Sequence, residues 1–171
     1  MLDRIWSGWR AAYVGGDRAG GGISPFVQLL ESGEPDEATH IVHRGSSVFA
    51  ILNIYPYTNG HLLVLPYREV ADLDDLTGPE TTELWSTVTD GVAAIRAAYQ
   101  PDGLNVGLNL GRSAGGSVPS HLHVHVVPRW AGDSNFMSSI ANAQTLPESL
   151  SASAAKLRAA WRSIDERSSR C

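Results

Sequence analysis

Three histidines alternate with apolar residues in the C-terminal half of this chain: His121, His123 and His125. A spacing of two residues is the period of a β-strand, so it predicts that the three imidazoles share one face of a strand. Pro128 should end this strand, because proline has no N–H to give to a sheet. An imidazole with a pKa of about 6.5 is largely unprotonated and nucleophilic at neutral pH. The pattern therefore indicates a chemical site that works near pH 7.

Three roles are open to such a row of imidazoles. A solvent-exposed stripe would have no chemical function, although lysine, threonine and glutamate are more usual on a surface. A zinc site is the second role, but no cysteine or carboxylate cluster stands nearby in sequence to complete the ligand shell. The third role is covalent catalysis, with the middle histidine, His123, as the nucleophile. We predict the covalent role, with no metal and no cofactor.

The residues around this row resemble a known family. His121-x-His123-x-His125, with apolar residues at each x, is similar to the signature of the histidine triad (HIT) superfamily of nucleotide hydrolases and transferases. Residues 59–66, which contain His61, resemble the Gly-His strand of that family, and residues 109–117 resemble its glycine-rich phosphate loop. The resemblance extends over residues 40–136, which is well over half of the chain.

Two further stretches indicate a branch of the superfamily. Gly116 and Ser117 precede the histidines, and a segment that begins with Trp130 follows them. Both look most like the bacterial diadenosine tetraphosphate phosphorylases. The resemblance implies that diadenosine tetraphosphate and inorganic phosphate are converted to ATP and ADP through a nucleotidyl-histidine on His123. Hydrolase branches of the family often have glutamine where this chain has Ser117.

Other functions stay open at this point. Within the superfamily the alternatives are a dinucleoside polyphosphate hydrolase and a nucleoside phosphoramidase. An alternative of another class is a noncatalytic module that binds nucleotides or metal through the same face. Superfamily members are commonly homodimers. The partners that the resemblance implies are therefore a dinucleoside polyphosphate or purine nucleotide, inorganic phosphate and a second copy of the chain.

The resemblance also implies roles for the histidines. A backbone carbonyl near His121 would fix the tautomer of His123, and His125 would contact the bridging or phosphoryl oxygens. His61 matches the fourth histidine of the family. It could act directly, or it could be a buried histidine that orders the site.

Polar residues elsewhere match positions that bind the substrate. Asn53 matches a position that binds ribose hydroxyls, although it could instead cap the end of a strand. Asn109 matches a position near the α-phosphate. Trp130 could be a core aromatic residue or could contact a second nucleoside.

The glycine-rich loop should bind the phosphates. Glycines allow backbone N–H groups to approach phosphate oxygens closely, in the manner of an anion-binding nest. Arg112 or Arg129 could add positive charge. The phosphate-binding residues that we expect from the loop are Gly115, Gly116 and Ser117.

Composition limits the remaining choices. The 171 residues, of which 43% are hydrophobic and 18% charged, fit a single domain over residues 1–171. The net charge of −5 argues against a nucleic-acid-binding protein. The only cysteine, Cys171, cannot form an internal disulfide. No signal peptide or membrane-spanning run is evident, so we expect a cytoplasmic protein.

Local patterns predict an α+β fold with an antiparallel sheet of about five strands and two main helices. Strands are expected at 39–43, 47–54, 61–66 and 104–110, besides the histidine strand. A capping box at Thr77 should open a helix that runs to about Tyr99, and Thr145 with Glu148 should open a second helix over 146–164. We expect both helices on one face of the sheet and the histidines on the other.

The two ends of the chain are expected to be appendages of this domain. Residues 1–22 form an N-terminal arm, and residues 165–171 form a polar tail. Ser24 should cap a short helix that begins with Pro25 and ends near Leu30. Many relatives in the HIT superfamily carry a Cys-x-x-Cys zinc pair near this place, whereas residues 22–25 contain no thiol. We therefore predict that this zinc site is absent.

Overall fold

The computed structural model describes residues 23–133 and 147–168, without the side chains of three residues in the last helical turns. The N-terminal arm, residues 134–146 and the last three residues lie outside the described part. In order along the chain, the elements are α1 (Pro25–Glu31), α2 (Asp36–Thr39), β1 (Ile41–Arg44), β2 (Val48–Leu52), β3 (Leu62–Pro66), α3 (Gly78–Tyr99), β4 (Gly103–Leu108), β5 (Val124–Arg129) and α4 (Leu150–Ser168).

The five strands form one antiparallel sheet in the order β1-β2-β3-β5-β4. β1, β2 and β3 follow one another as antiparallel neighbours in the sheet. β5 then lies between β3 and β4, and His125 of β5 pairs with Leu63 of β3 on one side and with Gly107 of β4 on the other. The predicted α+β class and the number of strands are confirmed.

The two long helices pack together on one face of the sheet, as predicted. Their apolar side chains form the main core with the sheet residues that alternate toward them. α3 begins at the predicted capping box, because the Thr77 side chain accepts from the Glu80 backbone N–H and Glu80 bonds back to Thr77. The largest fully buried contributors from the helices are Leu84, Ile95, Leu157 and Trp161.

The opposite face of the sheet, which the sequence predicts to carry the histidines, is not bare. A second buried cluster lies there, made by side chains from β1, β2 and β3. The apolar side of α1 packs against this cluster through Phe26, Leu29 and Leu30. Ser24 caps α1 as predicted, since its Oγ accepts from the Phe26 backbone N–H at 3.2 Å. This short helix therefore lies on the face that carries the histidines.

The histidine strand begins and ends later than predicted. β5 starts at Val124, so His121 and His123 lie just before the strand and His125 lies within it. Pro128 is inside β5 rather than after it. The pairing with β3 ends at Val126, so only β4 flanks the strand at Pro128, and a missing N–H is tolerated there.

The start and end of the last helix also differ from the prediction. α4 begins at Leu150, with Ser149 Oγ accepting from the Ala152 backbone N–H at 3.2 Å. Glu148 does not complete a capping box, since its carboxylate instead accepts from Tyr99 and from two side chains of α4. The predicted partner Thr145 lies outside the described residues. The helix continues to Ser168, into the segment predicted to be a polar tail.

The first predicted strand is shorter than expected at its start. Thr39 ends the short helix α2 instead of opening β1, and its hydroxyl donates to the Pro35 carbonyl at 3.3 Å.

None of the helices in the described residues is long and apolar enough to cross a membrane.

Candidate active site

Four histidines meet where β3 and β5 adjoin. His61 lies one residue before β3, and the triad histidines lie at the start of the neighbouring β5. The ring centroids of His123 and His125 are 5.0 Å apart, and those of His61 and His125 are 5.1 Å apart. The structure thus brings together all four histidines that the sequence selected.

His123 is oriented by the backbone of the first triad residue. Its Nδ1 lies 2.7 Å from the carbonyl oxygen of His121. A carbonyl can only accept, so Nδ1 carries the proton and Nε2 keeps its lone pair. None of the described residues forms a hydrogen bond with Nε2 of His123. This arrangement presents an unprotonated nitrogen for nucleophilic attack.

His121 is held at both ring nitrogens and is completely buried. Its Nε2 lies 2.8 Å from the Pro66 carbonyl oxygen, and its Nδ1 lies 2.8 Å from Ser24 Oγ. Because both nitrogens are occupied, the imidazole of His121 is not available to a substrate. Its contribution to the site comes through its carbonyl group.

The tautomers of His61 and His125 follow from one backbone group. The Tyr57 N–H donates to His61 Nδ1 at 3.1 Å, so the His61 proton must be on Nε2. That Nε2–H donates to His125 Nδ1 at 2.9 Å, which places the His125 proton on its own Nε2. His125 Nε2 is buried and has no partner among the described residues. The neutral ring of His125 therefore offers one free N–H donor beside His123.

This chain of hydrogen bonds favours the ordering role for His61. Its Nε2 is occupied by His125, and its Nδ1 is occupied by the Tyr57 backbone. The Tyr57 ring also lies over it, with a centroid separation of 4.9 Å. The sequence did not single out Tyr57. The Tyr-Pro-Tyr turn immediately before the Gly-His strand was the available signal.

All four imidazoles are held neutral. Burial, followed by the nearby charge of protonated His125 and His123, lowers the pKa of His61 to about 3. Burial and the neighbouring His123 lower the pKa of His125 to about 4. Burial also lowers the pKa values of His121 and His123, although the carbonyl groups that they contact oppose this effect. These shifts favour the neutral form of each of the four rings at neutral pH.

These lowered pKa values predict a loss of stability in acid. The histidines bind protons more strongly in the unfolded chain, so their contribution is complete above about pH 6.5 and is lost as the pH falls toward 3. For His61, we expect the free energy of unfolding to fall by about 2 kcal/mol between pH 7 and pH 5. Urea unfolding at a series of pH values measures this slope. His61→Gln should flatten it, and an unchanged slope in that variant would contradict the assignment.

Asn53 caps the end of β2 and touches the site from there. Its Oδ1 accepts from the Tyr55 N–H at 3.0 Å, and its Nδ2 lies 3.5 Å from His61 Nδ1. The strand-end role considered from the sequence is therefore present in the structure. The side chain is half-buried, and binding of ribose hydroxyls by it stays a prediction.

The glycine-rich loop connects β4 to the triad. Leu108, the last residue of β4, is paired with Val124, so the residue that follows β4, Asn109, leaves the sheet beside His123. A side chain at Gly116 would lie 3.5 Å from the carbonyl oxygens of Asn109 and Gly111, which shows how closely the loop folds back. The pairing of β4 with β5 thus places Asn109 and the start of the loop beside His123.

The backbone of this loop favours glycine at one of the predicted phosphate-binding positions. One of the two arginines considered as a source of positive charge makes no ion pair with the described residues. Gly115 has a φ of 90°, a left-handed conformation that favours glycine. Gly116 and Ser117 are half-buried, and the loop is tied to the triad by the His121 N–H, which donates to the Val118 carbonyl. Arg112 is exposed and makes no ion pair with the described residues, whereas Arg129 is bound by Asp133 and Asn105.

Trp130 lies apart from the histidines. It follows β5 and makes an edge contact with Tyr99, at a centroid distance of 6.3 Å. It lies five positions after His125, which is about 17 Å along an extended strand. In the described structure Trp130 packs against the end of α3, so a contact with a second nucleoside stays a prediction.

No metal-binding cluster is found in residues 23–133 and 147–168: no group of three or more histidine, cysteine, aspartate or glutamate side chains has suitable geometry. Two of the triad imidazoles already use their ring nitrogens in the hydrogen bonds described above. The arrangement fits a nucleophile and a donor better than it fits a set of metal ligands.

Comparison with known proteins gives one family match and several relatives. The HIT domain family matches residues 34–132. A protein named AP-4-A phosphorylase from Mycobacterium tuberculosis is 41% identical over 168 residues, which cover 94% of this chain and 85% of the relative. A bis(5'-adenosyl)-triphosphatase from Saccharomyces cerevisiae is 36% identical over 91 residues, covering 53% of this chain and 44% of the yeast protein.

A solved structure shares the fold. It is a zinc-bound histidine triad family protein from Mycobacterium smegmatis, superposed with a TM-score of 0.68 at 27% identity. The superposition covers 83% of this chain and 95% of the other.

Proposed function

This chain belongs to the HIT domain family, and from that premise we propose that it is a dinucleoside polyphosphate phosphorylase. The observation that carries the proposal is the free Nε2 of His123, whose lone pair is fixed by the hydrogen bond from Nδ1 to His121. The relative named AP-4-A phosphorylase, which matches nearly the whole chain, supports diadenosine tetraphosphate as the substrate.

In the first step, His123 Nε2 attacks the α-phosphorus of diadenosine tetraphosphate. An N–P bond forms, the bond from that phosphorus to the bridging oxygen breaks, and ATP leaves with the electron pair. The ring becomes positively charged, and the carbonyl of His121 stabilises this charge through the Nδ1–H. His125 Nε2–H is the nearby donor for the departing oxygen.

In the second step, an oxygen of inorganic phosphate attacks the same phosphorus. The N–P bond breaks, ADP is released, and His123 regains its neutral form. Water in place of phosphate would give AMP. The choice between the two acceptors depends on the space and the donors beside the phosphorus, which Ser117 and the loop amides are proposed to supply.

The decisive experiment compares the products made from diadenosine tetraphosphate with and without inorganic phosphate, in a chelating buffer. We expect ATP and ADP, with the rate dependent on phosphate and unaffected by chelation. Formation of AMP and ATP at one rate in both conditions would identify a hydrolase. Loss of activity together with bound zinc would indicate that the histidines are metal ligands.

A substitution in the loop tests the choice of acceptor. Glutamine can orient a water molecule through its amide, as it does in other phosphoryl-transfer sites, whereas serine is shorter and leaves room for an anion. We expect Ser117→Gln to shift the products from ADP toward AMP by about tenfold, since a single hydrogen bond separates the two outcomes. Chromatography of the nucleotides measures the ratio. Ser113→Gln, on an exposed serine of the same loop, is the matched control and should leave it unchanged.

A hydrolase is the second candidate, because the yeast relative named bis(5'-adenosyl)-triphosphatase matches about half of this chain. The noncatalytic alternative predicts that no covalent adduct forms at all.

We also propose that residues 1–171 act as one domain in a cytoplasmic homodimer. Size measurement in solution tests the dimer, and fractionation of cells tests the location.

A further inference from the structure

The hydroxyl proton of Ser24 is assigned by the groups around it. His121 Nε2 faces the Pro66 carbonyl, so that nitrogen must carry the proton and Nδ1 must be an acceptor. Ser24 Oγ lies 2.8 Å from this Nδ1 and must therefore donate to it. The same oxygen accepts from the Phe26 N–H and so caps α1. Ser24 is only 1% exposed, so water does not compete for its hydroxyl group.

Other contacts fix Ser24 in place. Its backbone N–H donates to Glu69 Oε2 at 3.2 Å, and hydrogen bonds from the Ser120 side chain and the Ser24 backbone lower the pKa of Glu69. Phe26, two residues later, lies against both His121 and His123, with centroid distances of 5.4 Å and 5.6 Å. The first turn of α1 is thus packed directly against two of the triad residues.

We propose that Ser24 is a positioning residue for the nucleophile, acting through His121. Its hydroxyl and the Pro66 carbonyl hold the His121 ring from opposite sides, and the carbonyl of His121 in turn orients His123. The proposal rests on the proposed nucleotidyl-transfer function. It gives α1, which lies far from the triad in sequence, a part in the catalytic rate as well as in folding.

The expected effect on the catalytic rate is modest, because Ser24 acts on His123 only through His121. Without the hydroxyl, Nδ1 of His121 loses its partner and the ring is held on one side only. The His121 carbonyl, which orients His123, is then held less firmly. His123 Nε2 is therefore aligned for attack in a smaller fraction of the enzyme–substrate complexes. Because Ser24 is only 1% exposed and cannot contact a substrate, the loss should fall on kcat, by about tenfold, and leave KM within about twofold.

Three substitutions separate the donor from the helix cap. Ser24→Ala removes both functions, and Ser24→Thr keeps both. Ser24→Asp keeps an acceptor for the Phe26 N–H but has no proton to donate when ionised. Thr77→Ala is the control, because it removes the cap of α3 without touching a histidine. The measurements are kcat and KM for diadenosine tetraphosphate, and the proton resonance of His123 Nδ1–H in the resting enzyme.

We expect alanine and aspartate at position 24 to lower kcat and to weaken the His123 Nδ1–H resonance through faster exchange with water. Ser24→Thr and Thr77→Ala should match the original protein in both. Full kcat in Ser24→Asp, or an unchanged resonance in Ser24→Ala, would overturn the proposal, since the hydroxyl proton would then be dispensable. The resonance needs no substrate, so this arm tests the positioning even if the phosphorylase assignment fails.

Discussion

Replacement of His123 by alanine should reduce turnover of diadenosine tetraphosphate by at least about 10⁴-fold, the scale seen when a catalytic nucleophile is removed. The reason is structural, because His123 Nε2 is the ring nitrogen left free by the hydrogen bond to the His121 carbonyl. Nucleotide binding should stay within about tenfold, since the loop and the asparagines are unchanged.

The intermediate itself can be detected. Denatured enzyme quenched at alkaline pH, where a phosphoramidate survives, should show the mass of an AMP adduct that His123→Ala lacks. His43→Ala is a matched control, because His43 stacks on Trp161 in the helix-side core at 4.7 Å and takes no part in the site. Ordinary turnover in His123→Ala would refute covalent catalysis by this residue.

Much of the fold and the site could be predicted because the signals are local. The capping box at Thr77, the proline after Ser24 and the alternation around His123 each depend on residues within one turn or one strand. The pairing of β1, β2 and β3 follows from the short connections between them. The two-residue period of a β-strand predicts that the three triad histidines share one face of the sheet.

What could not be predicted depends on contacts between distant residues. Ser24 and His121 are 97 positions apart, so the sequence indicated a helix cap but not a bond to the triad. The same applies to Glu148, whose partners include Tyr99 of another helix. The predicted start of β5 is wrong because the sequence pattern does not show where β3 and β4 cease to be its partners.

The tautomers are a second kind of information that sequence patterns omit. His61 and His125 differ in no local feature that would reveal which nitrogen bears the proton. The Tyr57 backbone N–H decides this for both rings. The sequence therefore selects four histidines that the structure brings together, but it leaves open whether His61 acts directly or orders its neighbour.

Removal of the imidazole of His125 should have the second largest effect. Its Nε2–H is buried without a partner among the described residues, so it is free to donate to the oxygen that leaves phosphorus. Loss of one such donor slows comparable reactions by about 100- to 1000-fold, and we expect His125→Ala to lower kcat/KM by that factor. His61→Ala should cost only about tenfold, because the His125 ring remains and only the hydrogen bond that favours its Nε2–H tautomer is lost.

The pH dependence distinguishes a neutral donor from a charged acid. The pKa of His125 is lowered to about 4, so a neutral Nε2–H donor persists throughout pH 6 to 8 and kcat/KM should not titrate through His125 in this range. A protonated imidazolium would instead give activity that falls as the pH rises through its pKa. Such a fall in the original protein, absent from His125→Ala, would show that the ring works as a cation and that its burial does not keep it neutral.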